Sequence, residues 1–251
     1  MTSHTISSGD HQMPRLTDHS RILTALLTVL CLTSLATAEQ KQETKVDPNL
    51  PRVLIIGDSI SIGYTKPTIE LLKGVANVER VKANCGDTNR GLKNLQRWLG
   101  KTDWAVIHFN WGLHDLCYRH PNSKTQGHRD KVNGTISVPL AQYEKNLETL
   151  VKQLGQTNAT LIWATTTPVP EGEAGRVVGD DLKYNEVAKK IMQKHNIKIN
   201  DLHQLAKGFE APLWAGPGNV HFKQAGSDKL AQQVAQEIKA ALPKNKPISG
   251  R

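Results

Sequence analysis

The sequence predicts a three-layer α/β/α sandwich: a five-stranded parallel sheet in the flavodoxin-like order 2-1-3-4-5, with helices on both faces. Three observations predict it. Short continuous apolar runs recur along the chain, stretches of helical periodicity lie between them, and the residues able to do chemistry collect directly after the runs. Such runs suit strands buried on both faces, and strands alternating with helices build parallel sheets in a single domain.

The first strand is Val53–Ile56, closed by Gly57. Val78–Ala83, Trp104–Phe109, Thr160–Ala164 and Ile197–Ile199 follow as the remaining strands. Leu140, Tyr143, Leu147, Leu150, Val151 and Leu154 repeat at helical spacing, with Pro139 at the first helical position. Tyr184, Val187, Ala188, Ile191 and Met192 do the same behind Asp180 and Asp181, whose charge suits a helix start. Leu230, Val234, Ile238 and Leu242 form a last stripe that stops at Pro243. The polar, Gly-containing stretch from Arg119 to Ser137 reads as a long surface loop and a candidate lid.

Four segments organise the chain: 1–38, 39–50, 51–242 and 243–251. In the first, Arg15 and Arg21 precede an apolar stretch, Ile22–Leu35, that ends in Ala36-Thr37-Ala38. A charged start, a short apolar middle and an A-x-A end make a secretory signal peptide, so the protein is expected to be secreted or periplasmic. An uncleaved anchor is the alternative, although Thr24, Thr28, Thr33 and Ser34 interrupt the stretch. Leu30 is too bulky for Cys31 to serve as a lipoprotein acceptor, and either Met1 or Met13 can be the start. Residues 39–50 are a polar leader, 51–242 the folded domain and 243–251 a frayed tail.

The composition excludes several classes. With 251 residues, 38% apolar and only 3 Cys, the chain is neither disulfide-dense, collagen-like nor largely disordered. Its formal net charge of +9 favours anionic partners, acidic glycans among them.

Gly57-Asp58-Ser59 follows the first strand. A Ser at a strand-to-helix turn presents its hydroxyl at the sheet edge, with a helix N-terminus behind it to favour developing negative charge. The bland alternative is that Asp58 and Ser59 only cap the helix. Asn84-Cys85-Gly86-Asp87-Thr88 follows the second strand, Asn110-Trp111-Gly112-Leu113-His114-Asp115 the third, and Asn219-Val220-His221 precedes the last helix.

As a set, these blocks resemble the SGNH, or GDSL, hydrolases along essentially the whole domain. The resemblance implies the SGNH hydrolase fold and a serine esterase; with the export signal, the basic charge and the loop tryptophans, the family's habit makes a short acyl ester of a carbohydrate, such as an acetyl ester, the expected substrate of a secreted enzyme. It implies Ser59 as nucleophile and first oxyanion donor, Gly86 as second donor and His221 as general base. The third donor of the family is Asn; His114 stands there, and Asn110 is a substitute. Asp58, Asp115 and Asn219 are supporting residues. The expected partner is a small-molecule or polysaccharide ester, with no nucleic acid, no stable membrane insertion after signal cleavage, no cofactor and no metal.

One departure bears on mechanism. The family's acid, three residues before the base, is here Gly218. Asn219, a backbone carbonyl, or a carboxylate among Glu171, Glu173, Asp180 and Asp181 is left to orient the ring. Asp201 reads instead as a helix cap with Gln204. Cys85 and Cys117 can pair or stay free. His108, His114, Asp115 and His120 show no familiar metal spacing, and His108 lies inside a strand; His195 and His203 read as surface or cap residues. Trp98 and Trp104 fit the core. Trp111 and Trp214 stack on a sugar, wall the cleft or pack beneath a loop, and Arg176 is a candidate anion contact. A weakly catalytic glycan-binding protein, favoured by Gly218 and His114, is the alternative to the esterase, and an acyltransferase is a third reading.

Overall fold

The computed structural model describes residues 46–243; the expected signal segment, most of the leader and the residues after Pro243 lie outside them. In chain order the described elements are β1 (Arg52–Ile56), α1 (Ser59–Leu71), β2 (Asn77–Arg80), α2 (Thr88–Leu99), β3 (Val106–Phe109), β4 (Tyr118–Arg119) and β5 (Thr135–Ile136). They continue with α3 (Leu140–Leu154), β6 (Thr160–Ala164), α4 (Asp180–Lys194), β7 (Lys198–Asn200), α5 (Leu202–Lys207) and α6 (Gln224–Ala241).

The main sheet runs β2-β1-β3-β6-β7, all parallel, which is the order 2-1-3-4-5 counted over its own strands. Right-handed crossovers then place α1 and α6 together on one face and α2, α3 and α4 on the other. The apolar runs fill the core between these layers. Val53, Ile55, Ile56, Val106, Ile107, Phe109, Ile162 and Trp163 are fully buried, each side chain of this size contributing about 1.5–3 kcal/mol.

The hydrophobic stripes of α3, α4 and α6 face that core, with Tyr143, Leu147, Leu150, Tyr184, Met192, Leu230, Val234 and Ile238 buried. Pro139 is the N-cap of α3 rather than its first helical residue. Helix α1 carries no such stripe, because it packs on α6 through small residues. A Cβ at Gly63 would lie 2.8 Å from the Ser227 hydroxyl of α6.

The stretch from Arg119 to Ser137 is not a bare loop. It is closed at its base by the antiparallel pair β4–β5. It is tied to the segment after β6 by Tyr118 N–H to the Gly175 carbonyl, 2.6 Å, and Lys131 N–H to the Ala174 carbonyl, 2.9 Å. The candidate lid is thus an insertion anchored at several points. Among the described residues no helix is long and apolar enough to cross a membrane.

Candidate active site

Ser59 is the first residue of α1, at the carboxyl edge of the sheet. The Asp58 carboxylate accepts the Ile60 N–H at 2.9 Å and caps the helix. That cap fixes the turn and leaves Ser59 half-buried, its hydroxyl free of the backbone.

The hydroxyl meets His221. Ser59 Oγ lies 2.7 Å from His221 Nε2, across a separation of 162 residues. Behind the ring, Asn219 Oδ1 lies 2.8 Å from His221 Nδ1 and accepts the His221 backbone N–H at 3.0 Å. An N–H can only donate, so the Asn219 atom shared between them is the oxygen. Nδ1 must then carry the ring proton, which leaves the Nε2 lone pair facing the Ser59 hydroxyl. Burial holds the ring below the usual imidazole range; Asp58 opposes this, while Arg176 and Arg129 reinforce it.

Gly218 cannot be exchanged for the acid that its place suggests. Its φ is +63°, and a Cβ there would sit 2.5 Å from the Gly172 carbonyl oxygen. The segment after β6 therefore closes against the His221 loop at that point.

None of the other candidate carboxylates has a hydrogen-bond contact with His221. Glu173 is buried and accepts Arg129 Nη1 at 2.5 Å, Arg176 Nη1 at 2.9 Å and the Gly175 N–H at 2.6 Å. Asp180 pairs with Lys183 and Asp181 with His203, and Glu171 is exposed. Asp201 caps α5 through the Gln204 N–H, as its spacing with Gln204 predicts.

The donor side is rearranged relative to expectation. Asn110 is not a free donor: its side-chain N–H groups go to the Ala164 carbonyl at 2.7 Å and the Thr166 hydroxyl at 3.4 Å, tying the ends of β3 and β6 together. The Gly86 N–H donates to Asn84 Oδ1, 3.0 Å away in its own loop. His114 is half-buried, and its Nδ1 lies 3.4 Å from Arg119 Nη2. Burial lowers the affinity of the His114 ring for a second proton; Asp58 opposes this, and Arg176 and Arg119 add to it. Asp115 is fully buried and accepts the Thr88 N–H at 2.8 Å and the Thr88 hydroxyl at 2.5 Å. Burial pushes its carboxyl up to about 8. It fastens the loop after β3 to the start of α2.

Two further candidates, Trp111 and Arg176, are withdrawn from the substrate side. Trp111 is fully buried against α2, where a Cβ at Gly91 would lie 3.0 Å from its ring, so it cannot stack on a sugar. Trp214 is half-buried beside the site, its ring 4.6 Å from Phe222. Arg176 is 4% exposed and held by Glu173 and the Leu113 carbonyl, which makes it a clamp rather than an anion contact. Cys85 and Cys117 are both buried, free thiols. His108 is sealed inside β3, where burial lowers it to about 4. Arg119 and the Arg129–Glu173–Arg176 cluster lacked any sequence signal as a unit, because their partners come from separate loops.

No family model and no curated protein matches the chain. Solved structures do. A lipase/acylhydrolase from Enterococcus faecalis is 20% identical with a TM-score of 0.62, covering 78% of this chain and 99% of its own. An acetylxylan esterase from Geobacillus stearothermophilus is 19% identical with a TM-score of 0.58, covering 75% and 94%. A GDSL-like lipase from Bacteroides thetaiotaomicron is 14% identical with a TM-score of 0.56, covering 76% and 89%. The chain has the SGNH hydrolase fold.

Proposed function

We propose that the protein is a serine esterase that hydrolyses carboxylic esters through an acyl-enzyme on Ser59. One observation carries the reading: a serine hydroxyl at a helix N-terminus, 2.7 Å from an imidazole nitrogen whose lone pair is turned toward it by Asn219. A serine hydroxyl is a poor nucleophile until a base takes its proton during attack. Here His221 Nε2 takes it as Oγ bonds to the ester carbonyl carbon. The Ser59 N–H at the start of α1 and the Nε2–H of His114 are assigned to the oxygen that becomes negative. The Gly86 N–H joins them once the Asn84 side chain rotates away. His221 then gives its proton to the departing alcohol, and a water activated by the same nitrogen releases the acid.

The finer reading is a short acyl group, such as acetyl, on a carbohydrate. It is supported by the half-buried Trp214 beside His221, by the basic surface, and by the fold shared with proteins described as acetylxylan esterases. Export belongs to the same proposal and rests on the Arg21–Ala38 pattern. The alternative is a weakly catalytic glycan-binding protein. Two observations favour it: the uncharged Asn219 behind the base, and the Gly86 N–H already occupied.

The test is hydrolysis of p-nitrophenyl acetate together with labelling by a fluorophosphonate, which reacts only with an activated serine. The native protein is expected to do both, and Ser59→Ala to lose both, with a fall of about 10⁴-fold or more in kcat. Equal turnover in the variant overturns the esterase. Absent labelling with retained binding of acetylated polysaccharide selects the alternative.

A further inference from the structure

Resting on the esterase reading above, we propose that Arg119, delivered by the β4–β5 insertion, is a positioning residue that sets the His114 ring so that its Nε2–H serves as an oxyanion donor. The family's Asn needs no such partner, because an amide N–H₂ always has hydrogens to give. A neutral imidazole has one N–H, and either nitrogen can carry it. Substituting His for Asn therefore creates a requirement that another group must meet.

Arg119 meets it. A guanidinium only donates, so the contact of Nη2 with His114 Nδ1, 3.4 Å, requires a lone pair on Nδ1 and puts the proton on Nε2. The arginine is itself fixed. Its Nε donates to the Ser137 hydroxyl at 3.2 Å, its Nη1 donates to the Gly127 carbonyl, and Ser137 in turn donates to the Cys117 carbonyl at 2.8 Å. The connection between β4 and β5 and the residue after β5 thus hold the Arg119 side chain against the ring. The position of that ring fits the role: β1 and β3 are neighbours in the sheet, with Ile56 in register with Phe109, so the loop after β3 that carries His114 leaves the same carboxyl edge as Ser59. A second cation near His114 also opposes the doubly protonated ring. The anchored insertion is then part of the catalytic apparatus rather than a cover over it.

The experiment reads the ring directly. In 15N-histidine-labelled native protein, with His114 assigned by loss of its signals in His114→Ala, the proton is expected on Nε2. In Arg119→Met, which keeps the stem and loses every donor, the signals should move toward a mixture of both tautomers. In the same variant kcat should fall about tenfold to a hundredfold, less than or equal to the loss of a whole oxyanion donor, with KM within about twofold of native. In a His114→Ala background Arg119→Met should add nothing. A native ring protonated at Nδ1, or an equal loss in both backgrounds, overturns the proposal. If Arg119→Met does not fold, the native spectrum and His114→Ala decide: an unchanged kcat in His114→Ala overturns it. The spectrum needs no turnover, so an inactive protein with an Nε2-protonated His114 would refute the esterase and leave the Arg119 contact standing.

Discussion

The loop before α6 and the loop after β3 each deliver a histidine to the same end of the sheet, and they hold it in opposite ways. His221 has Asn219 Oδ1 behind Nδ1, a partner that accepts. His114 has a guanidinium there, a partner that donates. Both rings are desolvated and lean toward the neutral state. The same group thus presents a bare Nε2 lone pair in one loop, as the proposed base needs, and an Nε2–H in the other, as the proposed donor needs. The atom behind the ring, not the ring, selects the role. The two partners also differ in reach. Asn219 lies two residues from its histidine and is pinned by that residue's own N–H, whereas Arg119 depends on an insertion closed by Thr135–Ile136.

Breaking the accepting side should have the largest effect. Asn219→Ala removes the group that keeps the proton on Nδ1 and leaves the ring free to turn its N–H toward Ser59. In a serine protease the wrong tautomer costs about 10⁴-fold. Asn219 contributes no charge to the imidazolium, so the expected fall in kcat for p-nitrophenyl acetate is about 10²-fold, with little change in KM. A variant at native rate would mean that the ring is oriented by its surroundings and that the contrast between the loops is incidental.

That contrast explains what the sequence could show. The sheet order follows from the apolar runs at Val53–Ile56, Trp104–Phe109 and Thr160–Ala164, because strands buried on both faces need unbroken apolar residues. Ser59 and His221 stand out because each follows or precedes an element boundary, where the fold leaves side chains free. Helix α1 left no stripe, since its α6-facing side is made of small residues such as Gly63 rather than apolar ones. Side-chain engagements outside local caps and turns were not legible. Asn110 looks like a donor until Ala164, 54 residues away, supplies the carbonyl that takes its N–H. Trp111 looks like a loop aromatic until Gly91 of α2 makes room for it in the core. Arg119 lies five residues after His114 in a stretch that reads only as polar. Such pairings depend on three-dimensional contacts for which neither periodicity nor composition leaves a mark.

The position of the family acid sharpens the comparison further. Gly218→Asp would put a carboxylate where the resemblance expects it, yet the backbone forbids it. A left-handed φ of +63° and a Cβ 2.5 Å from the Gly172 oxygen mean that the segment after β6 must move. The expected outcome is a loss of about 2–4 kcal/mol in urea unfolding, with no gain in kcat. A stable and faster variant would show that the Gly172 contact yields easily and that Asn219 is dispensable.

A subtler change tests charge without moving the backbone. Asn219→Asp keeps an oxygen 2.8 Å from Nδ1 and makes it negative. As the proposed base, His221 must be neutral to act, and burial sets its pKa below the ordinary 6.5 of imidazole. The rate should therefore hold as pH falls through the ordinary imidazole range and decline only below it. A carboxylate beside Nδ1 favours the imidazolium and raises the pKa, so the acid limb of kcat/KM should move to higher pH, by about one unit. At pH 8, where the base is neutral in both proteins, kcat should rise by up to about tenfold, since the same charge stabilises the imidazolium formed during attack. An acid limb that stays in place would mean that the new carboxyl turns away from the ring, with the His221 backbone N–H as its remaining partner. The accepting side would then act through shape alone, and the two loops would differ less in electrostatics than in which nitrogen each leaves bare.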